Sequence, residues 1–301
     1  MSKNVEQQPS RTAMLATLSR AIAHKEFNNG IFGSDYLAEY FIPFLFRFFI
    51  KSKRARTRMK QRIPMGVYEY LIARTQYFDN LFRDALNKGI PQIVLLGAGY
   101  DTRAYRFAKK NNNTRIIEID ITTTQNRKKE CLKRAKIEIP ANVEFIPLNF
   151  NKDSLEDVLM EKGFKKHEKT LFLWEGVSYY LESESVNATL EQVKNISHKE
   201  SLMAFDYAIF IPLEEKSKYY GVKESYDYMI EKNPNERVKF SIKEDTIGGF
   251  LKQRGFKVVE HLNNTEIEKR FLTKEKGLLI GQIMASFRCV LASPLDNAQN
   301  K

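Results

Sequence analysis

Gln92-Ile93-Val94-Leu95-Leu96-Gly97-Ala98-Gly99-Tyr100-Asp101-Thr102-Arg103 is an apolar strand that runs into a Gly-x-Gly turn and then into residues suited to opening a helix. In an α/β sheet this arrangement offers backbone N–H groups and a helix start to a nucleotide-like ligand. Gly97 and Gly99, with Ala98 between them, permit a tight turn, and the missing Cβ atoms let a ligand approach the backbone closely. Asp120 ends the next apolar run, Arg115–Asp120, with Ile121 beside it. An acid at a strand tip is placed to accept hydrogen bonds from ribose hydroxyls. Together these residues predict an adenosine-bearing cofactor. A dinucleotide fingerprint wants a third glycine at position 102, beside the pyrophosphate, and this chain has Thr102. S-adenosylmethionine (SAM) has no phosphate to cradle, so the motif favours SAM. A nicotinamide dinucleotide is the rival, and a Gly-x-Gly that merely ends a buried strand is the plain alternative.

Outward from this motif the pattern is alternating strand and helix. Strands are expected at 93–97, 115–120, 143–147, 170–175 and 201–206, and helices near 122–136, 152–161 and 182–197. A helix near 243–254, stopped at Gly255, precedes two strands near 256–260 and 281–291. The fold class is therefore α/β: a doubly wound, mostly parallel sheet with an antiparallel last strand. Residues 1–90 read as a helical cap, with Ser10 or Thr12 opening a segment through His24 and apolar helical spacing over Tyr68–Asn87. Residues 91–301 read as the cofactor-binding domain, with a tyrosine-rich insertion at about 207–242 on the acceptor side.

At 301 residues and 43% apolar the chain can bury a full core. Two cysteines cannot build a disulfide framework, and four histidines without clustered spacing give no metal site. Met1–Arg20 lacks the apolar run of a signal peptide, so a reducing cytoplasm is the expected setting. The net charge of +12 is uneven, because Lys51–Arg62 holds seven basic residues and no acid. Just before it, Tyr36–Ile50 is dense in Phe and Tyr but too short to span a bilayer. Two readings of 36–62 stand side by side. One is a helix packed on the core or over the substrate and followed by a solvated basic loop; the other is peripheral contact with an anionic membrane. Nucleic acid is not expected as a partner, because aromatic and basic residues do not interleave along the chain.

The chain resembles the leucine carboxyl methyltransferase-like family, which includes many microbial SAM-dependent O-methyltransferases. Thr12-Ala13, Arg20-Ala21, Asp35–Ala38, Gln92–Phe107, Glu118–Asp120, Phe145–Phe150, Leu173–Leu181, Phe205–Tyr207 and Gly255-Phe256 carry the resemblance, in family order. It implies that Arg74 binds the SAM carboxylate, a task suited to a planar fork of donors. Asp120 would take the ribose, with Glu118 as competitor. Asn149 stands where the family commonly has an Asp touching the adenine amino group, and Phe150 would flank the ring or belong to the core. Glu175, ending the fourth strand, would lie beside the cationic tail and sulfonium. Tyr180 and Tyr207 would face the methyl acceptor, with buried structural aromatics as the equal alternative. Asp101 and Arg103 are expected to pair with each other or hold the loop rather than touch the ligand directly.

Transfer of a methyl group from a sulfonium is a direct displacement whose main requirement is in-line positioning. No catalytic His or Cys stands out, and no catalytic residue is assigned. An already anionic carboxylate needs no general base, so carboxylate O-methylation of a small or lipid-like molecule is favoured over hydroxyl methylation. Methylation of a protein C-terminal carboxylate, nicotinamide-dependent oxidoreduction and a binding protein without turnover are the alternatives.

Overall fold

The computed structural model describes residues 10–28, 30–232, 234, 236–274 and 277–295. Seven strands form one sheet: β1 Gln92–Leu96, β2 Arg115–Asp120, β3 Val143–Pro147, β4 Thr170–Trp174, β5 Leu202–Ala208, β6 Phe256–Leu262 and β7 Phe287–Pro294. Their order is β3-β2-β1-β4-β5-β7-β6, and β7 alone runs against the rest. Strands β1, β4 and β5 are apolar almost throughout and β2 buries its four central residues, because both faces of the sheet are covered, as a parallel sheet requires. The strand order reverses between β1 and β4, which opens a crevice at their carboxyl ends. In register, Leu96 lies beside Ile119 and Trp174 beside Phe205, so Gly97, Asp120, Glu175 and Asp206 all emerge along one edge.

Eleven helices surround the sheet among the described residues: α1 Arg11–Phe27, α2 Phe44–Phe49, α3 Lys53–Lys60, α4 Val67–Asn87, α5 Arg103–Arg106, α6 Thr122–Ala135, α7 Leu155–Glu161, α8 Ser183–Ile196, α9 Val222–Lys232, α10 Ile247–Lys252 and α11 Asn264–Phe271. Ser10 is the cap of α1, accepting from the Ala13 N–H. Its neighbour Thr12 lies inside the helix. The cap segment and the sheet share one apolar core, to which Ile22, Phe41, Tyr77 and Phe78 contribute as fully as Ile93 or Phe172.

Several elements differ from the sequence reading. The apolar stretch 36–50 is not one helix, because Pro43 cannot continue the turn Ala38–Tyr40 and instead opens the short α2. The basic run is not a loop but α3, capped by Ser52. The final strand begins only at Phe287. Helix α11 was not expected, although its signal was present: Asn263 and Glu266 form a capping box. The tyrosine-rich insertion contains α9, and after it Ile242 returns to bridge Ile209 at the sheet edge.

Candidate active site

A cavity of about 760 Å³ lies over the carboxyl ends of β1, β2 and β4. That volume is within the range of small-molecule and cofactor sites, roughly 300–1,000 Å³. Its floor begins with the glycine turn. Gly97 has φ +70°, and a Cβ there would lie 2.4 Å from Val177 Cγ2, so a side chain is excluded twice over. The Gly99 N–H donates to Asp120 Oδ2 at 2.6 Å and the Ile121 N–H to Oδ1 at 2.7 Å. These bonds hold the carboxylate at the cavity wall with acceptor capacity left over, since each carboxylate oxygen can take a second donor. Burial pushes the Asp120 carboxyl above its ordinary value, and the two backbone donors pull it partly back.

A buried ionic lattice sets the rest of the floor. Arg74, from the middle of α4, donates Nε–H to Glu175 Oε1 at 3.0 Å and Nη1–H to the Tyr179 hydroxyl at 2.9 Å and Asp206 Oδ2 at 3.2 Å. Its Nη2 donates to no other side chain among the described residues, and Arg74 lines the cavity. Arg103 joins Asp79 at 2.8 Å, Asp101 at 2.5 Å and Glu175 Oε2 at 2.7 Å. Arg106 grips both oxygens of Asp79 at 2.7 Å. Arg20 holds Asp35 at 2.8 Å and the Tyr100 carbonyl at 2.8 Å, while Thr102 donates to Asp35 at 2.7 Å. Position 102 thus has a structural use for its hydroxyl that a third glycine could not serve. Although burial favours the neutral acid, Arg106 and Arg103 hold the Asp79 carboxyl well below the usual carboxylate range. Asp101 is likewise lowered by Arg103 against its burial. Counting Asp120, the lattice carries two more carboxylates than guanidiniums.

Asp206 is the hub that sequence reasoning missed as a site residue. Fully buried, it accepts from the Tyr70 hydroxyl at 2.6 Å, the Gly176 N–H at 2.6 Å and Arg74. Gly176 has φ +73°, and a Cβ there would stand 3.0–3.2 Å from the Arg74 guanidinium. The motif Phe205-Asp206-Tyr207 was visible, but successive strand residues point to opposite faces. The structure buries Asp206 beneath the lining residues Arg74 and Gly176, turns Tyr207 the other way and so corrects the expectation for Tyr207. Tyr207 does not line the cavity; its hydroxyl is 2.9 Å from His261 Nε2, on the far side of the sheet.

The other anticipated residues converge. Ala98, Ile121, Asn149, Phe150 and Tyr180 all line the same cavity. Asn149 also organises its own turn, accepting from the Asn151 N–H at 3.0 Å. The Phe150 ring packs 6.2 Å from Trp174 against the core and also borders the cavity. Asp101 and Arg103 pair as expected. Glu118 is removed from competition: it is buried against Lys128 at 2.6 Å and Tyr105 at 3.1 Å.

The opposite end of the cavity is roofed by Ile209, Ile211, Tyr226 and Ile230, with Pro64 before α4 and Val67 at its start. Glu236 ties this roof to α1 by accepting from the Arg11 and Thr12 N–H groups at 2.8 Å. Lys216 lines this end with its ammonium 4.4 Å from the Tyr226 ring centroid, and burial lowers its pKa. Neither Lys216 nor Arg237, which also lines the cavity, pairs with a carboxylate among the described residues. Cys131 and Cys289 are buried and free. No group of three or more His, Cys, Asp or Glu among the described residues could hold a metal ion.

Comparison with known proteins agrees with this geometry. Residues 13–194 match the leucine carboxyl methyltransferase family. A Bacillus subtilis protein named as an S-adenosyl-L-methionine-dependent methyltransferase, YktD, is 30% identical over 210 residues, 69% of this chain and 67% of that one. A Mycobacterium avium protein named as the same class is 30% identical over 190 residues, 62% of this chain and 60% of its own length. In fold, the chain is similar to a methyltransferase structure from Thermobifida fusca, with a TM-score of 0.60 and 15% identity over 94% of this chain and 95% of that one. A DUF574 family structure from Streptomyces avermitilis gives 0.61 at 11% identity, covering 97% of this chain and all of that one. The family match and the sequence relatives show a SAM-dependent methyltransferase, and the strand order is that of the doubly wound class. Among these enzymes, the chain belongs to the leucine carboxyl methyltransferase family, which sets aside the nicotinamide alternative.

Proposed function

We propose that this protein is an O-methyltransferase acting on the carboxylate of a small or lipid-like molecule. When bound, SAM supplies a methyl group on a cationic sulfonium, ready for in-line displacement by a nucleophile. The residues of the floor fit that donor. Asp120 accepts from the ribose hydroxyls, Asn149 and Phe150 border the adenine, and Ala98, Gly99 and Ile121 approach the nucleoside through backbone. Arg74 offers its remaining donors to the amino-acid carboxylate. Glu175 and the excess of carboxylates favour the ammonium and sulfonium charges.

The observation that carries the acceptor reading is the pair of cations at the other end. Lys216 and Arg237 border that space without a carboxylate partner among the described residues, which favours an anionic acceptor. A carboxylate arrives ionised, and the only task left is to hold it in line with the methyl group and exclude water. Ile209, Ile211, Tyr226 and Ile230 of the roof, with Tyr180, would serve that task. Two free cysteines suit a reducing cytoplasm.

The test is methyl transfer from tritiated SAM into a native extract, followed by base. Volatile counts, released as methanol, support an ester; counts that survive base overturn carboxylate methylation. With the acceptor in hand, Lys216→Gln should raise its KM on the order of tenfold and leave SAM affinity unchanged.

A further inference from the structure

Between Glu39 and Glu69 the chain carries eight basic residues and no acid. The structure turns the middle of this stretch into a protrusion. Phe41, Ile42 and Ile50 are buried in the core, while the six residues of α2 between them lie outside it. Phe44 is 82% exposed, Leu45 61% and Phe48 62%, with Phe46 and Phe49 also exposed. Five large apolar side chains on one short helix is far more than the scattered exposure usual on a soluble surface.

The protrusion is held in place. Pro43 opens α2, and the Arg56 guanidinium of α3 donates to the Ile50 and Lys51 carbonyls at 2.7 and 3.0 Å, closing the far end of α2. Lys60 anchors α3 to Glu26 at 2.7 Å. Arg47 is drawn to Glu39 at 3.7 Å and stacks over Tyr40. That leaves Lys51, Lys53, Arg54, Arg58 and Arg62 exposed and without an ion pair among the described residues. Aromatic side chains projecting beside unpaired cations are what an anionic lipid surface recognises: rings enter the headgroup–acyl boundary while ammonium and guanidinium groups meet phosphates.

We propose that residues 44–62 form a peripheral docking site for an anionic bilayer. A second protein surface would have to supply an acidic rim around an apolar pocket, and a second copy of this chain would bring five like charges face to face. Charge complementarity therefore favours lipid. The same segment leads through Ile63 directly to Pro64 and Val67 at the acceptor end of the cavity, so docking would bring that end to the layer where amphiphilic carboxylates reside.

Flotation with vesicles tests this, using the full chain and two lipid compositions: phosphatidylcholine alone and phosphatidylcholine mixed with phosphatidylserine. Binding to the mixed vesicles is expected, with little to phosphatidylcholine alone, and it should fade at about 1 M salt, where the Debye length falls to ~3 Å. Lys53→Gln, Arg54→Gln and Arg58→Gln together should weaken partitioning on the order of a hundredfold. Phe44→Ser with Phe48→Ser should weaken it comparably without restoring salt resistance. The thermal midpoint and SAM affinity of both variants should match the parent, because none of these residues touches the core or the cavity. Equal binding to both lipid compositions, or binding unaltered in the variants, overturns the proposal. So does a concentration-dependent dimer that Phe44→Ser with Phe48→Ser converts to monomer.

Discussion

The two ends of the cavity are built on opposite principles. At the floor, Arg20, Arg74, Arg103 and Arg106 are fastened to carboxylates with little or no exposure, most of them by more than one bond, and Asp79, Glu175 and Asp206 among the partners sit on a packed helix or at strand ends. At the roof, α9 buries only Val222, and Tyr226, Ile230 and Val238 stay partly open to solvent. A preorganised charge lattice suits a ligand that never changes, since its cost is met at folding rather than at binding. A loosely held apolar roof suits an acceptor that must enter, be enclosed and leave. Mutations should accordingly divide into those that damage the fold and donor site together and those that touch the acceptor alone.

The largest effect is expected at the hub. Asp206→Ala leaves Arg74 facing Glu175 alone and strips partners from Tyr70 and Gly176, so urea denaturation should show a loss of about 3–5 kcal/mol. A loss no larger than that of an average surface change would mean the lattice is not the rigid end. Gly176→Ala comes next, because it combines positive φ with a Cβ pressed on the guanidinium. Backbone strain there should cost about 1–3 kcal/mol, with SAM affinity falling in calorimetry as Arg74 is displaced. Arg74→Lys keeps the charge but loses the fork geometry. SAM affinity should then drop roughly 10- to 100-fold with stability affected less.

Acidity sharpens the same contrast. The Asp120 carboxyl is raised, so it protonates at higher pH than an ordinary aspartate and loses acceptor capacity for a ribose hydroxyl. SAM affinity should therefore weaken as pH falls, starting at a higher pH than an ordinary aspartate would set, and Asp120→Asn should flatten that dependence at roughly tenfold weaker binding. In stability the sign is opposite: a raised acid contributes fully below its unfolded value, and the contribution is lost as pH rises through the folded one. Asp79 behaves the other way. Lowered in the fold, it stabilises above its unfolded value, and that stabilisation disappears only as pH falls through its depressed folded one. The smallest effect belongs to the roof. Ile230→Ala should shift acceptor KM a few-fold and stability by less than about 1 kcal/mol, given its exposure; a matching loss of SAM affinity would dissolve the distinction between the two ends.

How far the sequence reached follows from the range of the interactions involved. Strand, turn and acid at 92–120 are set by local rules, namely apolar period, glycine conformational freedom and a carboxylate at a strand tip, and their positions came out within a residue or so. Asn149, Phe150, Glu175 and Tyr180 were legible through the family resemblance, Glu175 also because it ends a strand, and all four line the cavity. Helix α11 was legible and overlooked, since its capping box is written in four consecutive residues.

What only the tertiary structure decided depends on partners far apart in the chain. Arg74 and Asp206 are 132 positions apart, and nothing local to either announces the other. The choice between Asp206 and Tyr207 rested on which face of β5 the packed helices leave open, because a shift of one residue exchanges the faces of a strand. The exposure of Phe44–Phe49 was equally hidden: an apolar run reads the same whether it is buried or projecting. Only the burial of Phe41, Ile42 and Ile50 on either side shows that this one projects. Local chemistry determined the elements and the turn that meets the cofactor; long-range packing decided which side chains share the site and which face the solvent.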